Sequence, residues 1–511
     1  MAYRVGGHTI SPQPAGGPIP CLFVVPGRTS ESATVAVTGS GRLLYAPLVE
    51  NSYPAPLDDR GPAVVAASDD GGARWGTLES GSPDHVLDVP PWMSRDPQTG
   101  RIWFASVLPE LCGAEISWSD DGGRGWQTNP VVGCPGMGSM RILEGPPPPG
   151  GARPHGYPHV VYYCANLSDL SLSNLWCFRS LDGGRSFSFT GAFADPPPRP
   201  GCNTEHPARP GAVGPDGDLY FPVYQCGDLS VALSTDEGAS WRLVHVATSQ
   251  VQDLYISSMA ADAAGDLYLA WNAGSTAASS QPGGPNPATE GILGQGTPML
   301  SVSRDRGATW SAPVTVAPPG VVDARHIAVT AAGHGHVAIS FLASSDGGSH
   351  LNGYLVETRD GGADWWGAAL NDPATPLLNA GDSETFGNRL FNFTATFAPN
   401  GDAWAAFHCV ASCAGRVGVV GRLAWPAPSA APRIACRLAP RTVRARGGRV
   451  RLRPVVTCGG RTRRTTVRFG RARVRTGHWV TLRVPRGRRA IRASFRVGGR
   501  GYIASIRVRW R

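Results

Sequence analysis

The chain has 511 residues, 41% hydrophobic and 17% charged, which excludes a disordered polyelectrolyte, and it has no apolar run of the roughly 18 residues that a membrane-spanning helix needs. Its 66 glycines and 46 prolines fall between short apolar runs, as turn punctuation in an all-β protein. The net charge of +9 hides a split: residues 433–511 carry 25 arginines and no acid, whereas residues 1–432 carry 22 arginines against 38 acids, and lysine is absent throughout.

In chain order, residues 1–18 read as an N-terminal extension without an apolar signal core, and Ile19–Val25 (IPCLFVV) as a short apolar strand. Two elements then alternate. The first is a glycine-centred turn leading into an apolar strand, at Gly41, Gly100, Gly156, Gly217, Gly265, Gly335 and Gly401. The second is an eight-residue pattern: Ser or Thr, any residue, Asp, any residue, Gly, two residues, then an aromatic. It occurs at 68–75 (SDDGGARW), 119–126 (SDDGGRGW), 180–187 (SLDGGRSF), 234–241 (STDEGASW), 303–310 (SRDRGATW) and 358–365 (TRDGGADW). These copies recur about every 58 residues, and the seven turns divide 29–425 into units of about 57, so seven repeats are predicted. The seventh has no such pattern. Ile19–Val25 is expected to supply its outer strand and close the ring, leaving no exposed edge.

A Pro/Ala linker follows at 426–432, and 433–511 alternate apolar and polar residues with period two, as in RVRLRPVV and TTVRFGRARVR. Short strands in so small a unit predict an immunoglobulin-like sandwich. Its arginines read either as the solvated face of an accessory module or as a surface for polyanions such as wall polymers or acidic glycans. Specific nucleic-acid binding is the least favoured, since no recognised motif is present.

The eleven cysteines lack metal-site spacing. Antiparallel register pairs Cys112 with Cys134; Cys164 with Cys177 and Cys409 with Cys413 bracket expected turns between second and third strands, Cys202 with Cys226 brackets the turn near Pro215, and Cys436 with Cys458 falls within the basic tail, leaving Cys21 either as a buried thiol or as the sign of one wrong pair. Disulfides imply an extracellular or cell-surface location, so the given start is expected to lie downstream of the true one or to reflect processing.

The eight-residue pattern is that of the Asp-box, or BNR, repeat, and the chain resembles the sialidase-like β-propellers. The physical chemistry of the box agrees. Ser and Asp cap a tight turn, Gly takes a backbone angle other residues resist, and the aromatic anchors the hairpin. The resemblance implies an all-β fold: a seven-bladed (alternatively six-bladed) Asp-box β-propeller over 19–425, with the C-terminal sandwich behind it. It also implies that the boxes are structural and lie away from the ligand mouth. That mouth is formed by the loops entering each innermost strand and those joining second to third strands.

Sialidase-like chemistry needs arginines to clamp a carboxylate, a Tyr activated by a Glu, and an Asp acid/base. Guanidinium forks match a carboxylate in two places, and a phenol attacks better once a carboxylate takes its proton. By position, the candidates are Arg28, Arg95, Arg325 and Arg389 for the clamp, Glu205 and Tyr255 as base and nucleophile, and Asp59 as acid/base. Arg28 is followed by Thr29 and Ser30 where the family has Ile-Pro, and Tyr255 precedes the later arginines. Two readings stand: a secreted hydrolase of acidic or sialylated glycans, and a non-catalytic extracellular propeller that binds glycans or proteins through its mouth. A propeller that helps assemble a larger complex would share the boxes but explains neither the cysteines nor the basic tail. No cofactor or metal is expected, and the chain is expected to be monomeric.

Overall fold

The computed structural model describes residues 3–5, 8–10, 18–25, 33–47, 65–78, 92–108, 113–132, 137–169, 172–194, 210–225, 228–249, 257–274, 296–379, 394–414, 417–425, 436–458, 461–497 and 500–510. Among these there is no α-helix, and none long and apolar enough to cross a membrane. The chain separates into two compact units, Met1–Pro426 and Ala427–Arg511.

The first unit is a multi-bladed β-propeller. Among the described residues it holds seven antiparallel sheets of four main strands, each laid down in chain order except the last. The innermost strands are Ala33–Val37, Trp92–Arg95, Met137–Gly145, Ala212–Val213, Ser257–Ala261, Val322–Ala332 and Ala395–Phe397. Each touches the next, and the last touches the first. Small side chains such as Ala33, Ala212, Ser257, Ser258, Ala260 and Ala328 let these strands converge on a common axis. The second strands are buried on both faces, so they read as continuous apolar runs, for example residues 102–105 and Leu267–Ala273. Their large rings, Trp103 and Trp271 among them, fill the wedges between sheets.

The last sheet is closed by Ile19–Val25, antiparallel to Val417–Ala424 with Phe23 opposite Val420. Phe23 stacks on Trp404 at 5.9 Å between ring centroids, and Arg422 lies 5.7 Å from its ring.

In all six box turns the Ser or Thr hydroxyl donates to the Asp carboxylate and accepts from the Gly amide, and the first and fourth add a bond from the Trp ring to that Gly carbonyl. In the first, Ser68 Oγ donates to Asp70 Oδ1 (2.9 Å) and accepts from Gly72 N (2.9 Å), while Arg74 N donates to Asp70 Oδ1 (2.9 Å) and Trp75 Nε1 to Gly72 O (3.0 Å). The second box glycine is needed twice over. Gly123 has φ of 81°, and a Cβ there would lie 2.8 Å from Leu44 Cδ1 of the preceding sheet.

The second unit contains a five-stranded sheet ordered Thr442–Ala445, Arg500–Trp510, Ala490–Val497, Thr466–Phe469, Ala472–Arg475, with smaller sheets of three and two strands. Its strands alternate exposed and buried residues, and Val443, Val467, Ile491, Phe495, Ile506 and Val508 share one core.

Disulfides join Cys164 to Cys177 and Cys409 to Cys413, both across the second-to-third-strand turns that the sequence places between them. Cys436 faces Cys458 across neighbouring strands, and Cys458 is disulfide-bonded. Cys112, Cys134, Cys202 and Cys226 lie outside the described residues. Cys21 is a free thiol, but half-buried rather than enclosed, because its strand is the outermost of its sheet.

Candidate functional site

The innermost strands run from the end where the chain enters each sheet to the end carrying the glycine turns. A third-to-fourth-strand turn lies at the same end as a first-to-second-strand turn, so the boxes and glycine turns share one end of the channel. The mouth is the other end.

Sheet six supplies one part of that mouth. Its innermost strand begins with two non-glycine residues in the left-handed region, Asp323 and His326, both with φ of 54°. Pairing with the second strand shifts register twice across this stretch. Such backbone costs on the order of 1–3 kcal/mol per residue and persists only where surroundings enforce it. Between them Arg325 is buried and ion-paired to Asp323, with Nη2 donating to Oδ2 at 2.8 Å and Nε to Oδ1 at 3.4 Å.

Against this entry lies the turn at 344–350, which joins the second and third strands of sheet six. Ser344 Oγ donates to Asp346 Oδ1 (2.8 Å) and accepts from Gly348 N (2.7 Å), and His350 pairs with Asp346 through Nδ1. This is the box geometry at the mouth end. A Cβ on Gly348 would lie 3.5 Å from Asp323 Oδ2, so the turn sits directly on the strained entry. The Asp346 carboxyl is held below its ordinary range: partial burial opposes the charge, but hydrogen bonds from His350 and Ser344 outweigh it. The side chains of His350 and Asp346 are 46% and 43% exposed, which leaves both open to a ligand. In sheet five, whose strands contact this entry, Asn272 is fully buried near the mouth end of Leu267–Ala273, and neither its Oδ1 nor its Nδ2 has a hydrogen-bond partner. A buried amide in that state calls for a water or a ligand group.

Of the residues singled out from sequence, Arg325 is at the mouth, with its fork already engaged by Asp323. Arg95 is not at the mouth. It is the last residue of Trp92–Arg95, opposite Ile102, and so matches Ala331 opposite Val337 in sheet six. That position is six residues beyond Arg325 along the strand, on the order of 15–20 Å towards the box end. The structure therefore does not bring these two arginines together. Arg28, Asp59, Glu205, Tyr255 and Arg389 lie outside the described residues.

The channel holds a cavity of about 260 Å³ whose lining includes Arg95, Glu144, Ser258 and Thr394. Burial in the channel wall, reinforced by the nearby Asp96 charge, pushes the Glu144 carboxyl well above its ordinary range. Asp96 goes the other way: burial opposes its charge, but His159 Nδ1 (2.8 Å) and the Tyr157 hydroxyl hold it far below the carboxylate range. The acidic cluster Asp262, Asp266 and His334 also sits at the box end. Its carboxylates already serve the turn: Asp262 accepts from Gly335 N (2.7 Å) and Tyr268 (3.2 Å), and Asp266 pairs with Arg304.

Sequence reading missed the turn at 344–350 because Leu351 stands where the other copies have an aromatic. The serine, aspartate and glycine spacing SSDGG was the available signal.

No protein-family profile and no curated protein sequence matches the chain. Among solved structures it is similar to the NanB sialidase of Streptococcus pneumoniae, with 13% identity and a TM-score of 0.37 over 82% of this chain and 73% of that one. It is also similar to the fucose-specific lectin of Aleuria aurantia, with 14% identity and a TM-score of 0.40 over 71% of this chain and 99% of that one. A third is a polysaccharide lyase, an ulvan lyase bound to a GlcA(1-4)Rha3S saccharide, with 11% identity and a TM-score of 0.44 over 80% of this chain and 95% of that one. All three are distant structural likenesses, and the family of this chain is not set by them.

Proposed function

We propose that the chain is a secreted, seven-bladed Asp-box propeller that recognises glycans at its mouth without turning them over, followed by an immunoglobulin-like accessory sandwich. The blade number rests on the closed succession of seven innermost strands. The extracytoplasmic setting rests on the disulfides Cys164–Cys177 and Cys409–Cys413.

The observation that carries the binding reading is the state of the two candidate arginines among the described residues, Arg95 and Arg325. A carboxylate clamp needs guanidinium forks that converge and are free. Arg325 is spent on Asp323, and Arg95 stands at the far end of the channel. What the described mouth offers instead is recognition chemistry: the exposed Asp346–His350 pair on a rigid turn and the unpartnered Asn272 amide of the neighbouring sheet. Hydrogen-bonding groups on rigid elements suit sugar hydroxyls.

The hydrolase reading keeps one observation of its own, the strained backbone at Asp323 and His326, since strain of this kind gathers at active sites. Fluorophore release from a panel of α-sialosides and other acidic glycosides separates the two. No release by folded protein is expected. Release that both Arg325→Ala and Glu205→Gln abolish, with the fold intact, would establish the hydrolase instead.

A further inference from the structure

The five-stranded sheet of the C-terminal unit turns one face to its core and the other to solvent, and the solvent face is arginine. Arg444, Arg468, Arg473, Arg492, Arg507 and Arg509 are all exposed, while their strand neighbours Val443, Val467, Val474, Ile491, Ile506 and Val508 are buried. Arg468 lies directly opposite Arg473, and Arg444 directly opposite Arg509. Like charges in direct cross-strand register weaken a sheet. Residues 433–511 contain no Asp or Glu to relieve them, and among the described residues none of the six guanidinium groups is hydrogen-bonded or ion-paired. A codon bias that replaces lysine by arginine does not account for this, because the first unit interleaves its 22 arginines with 38 acids.

We propose that this sheet face is a docking surface for a linear acidic polysaccharide, its sulfate or carboxylate groups held by the arginine forks. Neighbouring strands are about 4.8 Å apart and alternate residues about 6.8 Å apart, so the charges form a lattice on the scale of one sugar residue. Guanidinium matches sulfate and carboxylate in two places, and binding relieves the opposed pairs. Between the arginines the face carries Thr442, Thr466, Ser494 and Ser505, hydroxyl groups suited to sugars. Among the described residues this face carries no aromatic ring for base stacking, which a single-stranded nucleic acid would use. The exposed Trp479, with Arg451 4.9 Å from its ring, belongs beside a different pair of strands.

The test uses the full chain and heparin as the probe. Replacing Arg468, Arg492, Arg507 and Arg509 by Gln is expected to weaken heparin binding more than about 10-fold at roughly 150 mM salt and to lower the salt slope by about 3. Replacing Arg449, Arg451, Arg461 and Arg483 by Gln removes the same charge from elsewhere on the unit and is expected to change affinity less than about threefold. Equal weakening by both sets overturns the proposal, since charge rather than the face would then be responsible. So does an absence of binding at that salt, or tighter binding to single-stranded DNA or to phosphatidylserine vesicles. Should the first variant not fold, phenylglyoxal footprinting of the wild-type chain decides: heparin is expected to protect Arg468, Arg492, Arg507 and Arg509 but not Arg449 and Arg451, and uniform or absent protection refutes the assignment.

Discussion

Asp305 shows how a single residue carries the repeat. Its carboxylate accepts from the Thr309 hydroxyl (2.6 Å), from Thr309 N (2.8 Å) and from Ser303 Oγ (2.8 Å), and these bonds, the Thr309 hydroxyl first, hold its pKa below the ordinary value. Asp70, Asp121, Asp182, Asp236, Asp346 and Asp360 are lowered as well. A depressed folded pKa adds stability that is full above the unfolded value of about 3.9 and is lost as pH falls through it towards the folded value. Unfolding free energy is therefore expected to fall steeply between about pH 5 and pH 2, and Asp305→Asn is expected to flatten that slope in urea titrations at stepped pH. Gly123→Ala, forced into positive φ against Leu44, is expected to cost about 1–3 kcal/mol in the same assay. The box residues were legible in sequence because their chemistry is local. The clamp arginines were less so, because a residue's end of the channel depends on strand length. The turn at Gly100 lies five residues beyond Arg95, whereas the turn at Gly335 lies ten beyond Arg325, and that difference separates them.

At the scale of elements, the same turn geometry is used at both ends of the propeller. Six copies pin third to fourth strands, and the one at 344–350 instead stiffens a mouth loop over Asp323. Its missing aromatic is intelligible: Leu351 is fully buried with the Leu377 and Leu378 group, where a small apolar side chain fits, so the anchor is retained in another form. Closure by Ile19–Val25 could be read from the missing last strand, and the Cys164–Cys177 and Cys409–Cys413 disulfides from the turns they bracket, because both follow from antiparallel pairing. Most of the mouth could not be read this way, since it is built from loops that obey no period. Phe23 links the closing strand to Trp404, Arg422 and Gly72 of the first box. Phe23→Ala is expected to lower stability by about 2 kcal/mol, less than a fully buried Phe because this one is only half-buried. A calorimetric midpoint unchanged by that substitution would show that the strand does not close the ring.

For the whole molecule, the two units carry opposite charge, a formal −16 over residues 1–432 against 25 arginines beyond. An acidic propeller disfavours polyanions, so under the proposals above these fall to the arginine face, and glycan recognition by hydrogen bonding falls to the mouth. The most direct measurement is a glycan array probed with the full chain in excess heparin, which masks the arginine face, comparing wild type with His350→Ala at the mouth and Arg95→Gln at the box end. Heparin-resistant binding to a defined set of glycans is expected, reduced at least about 10-fold by His350→Ala, a loss of about 1.4 kcal/mol, and unchanged by Arg95→Gln. Binding that survives His350→Ala but is lost with Arg95→Gln, or no heparin-resistant binding at all, would contradict recognition at the mouth.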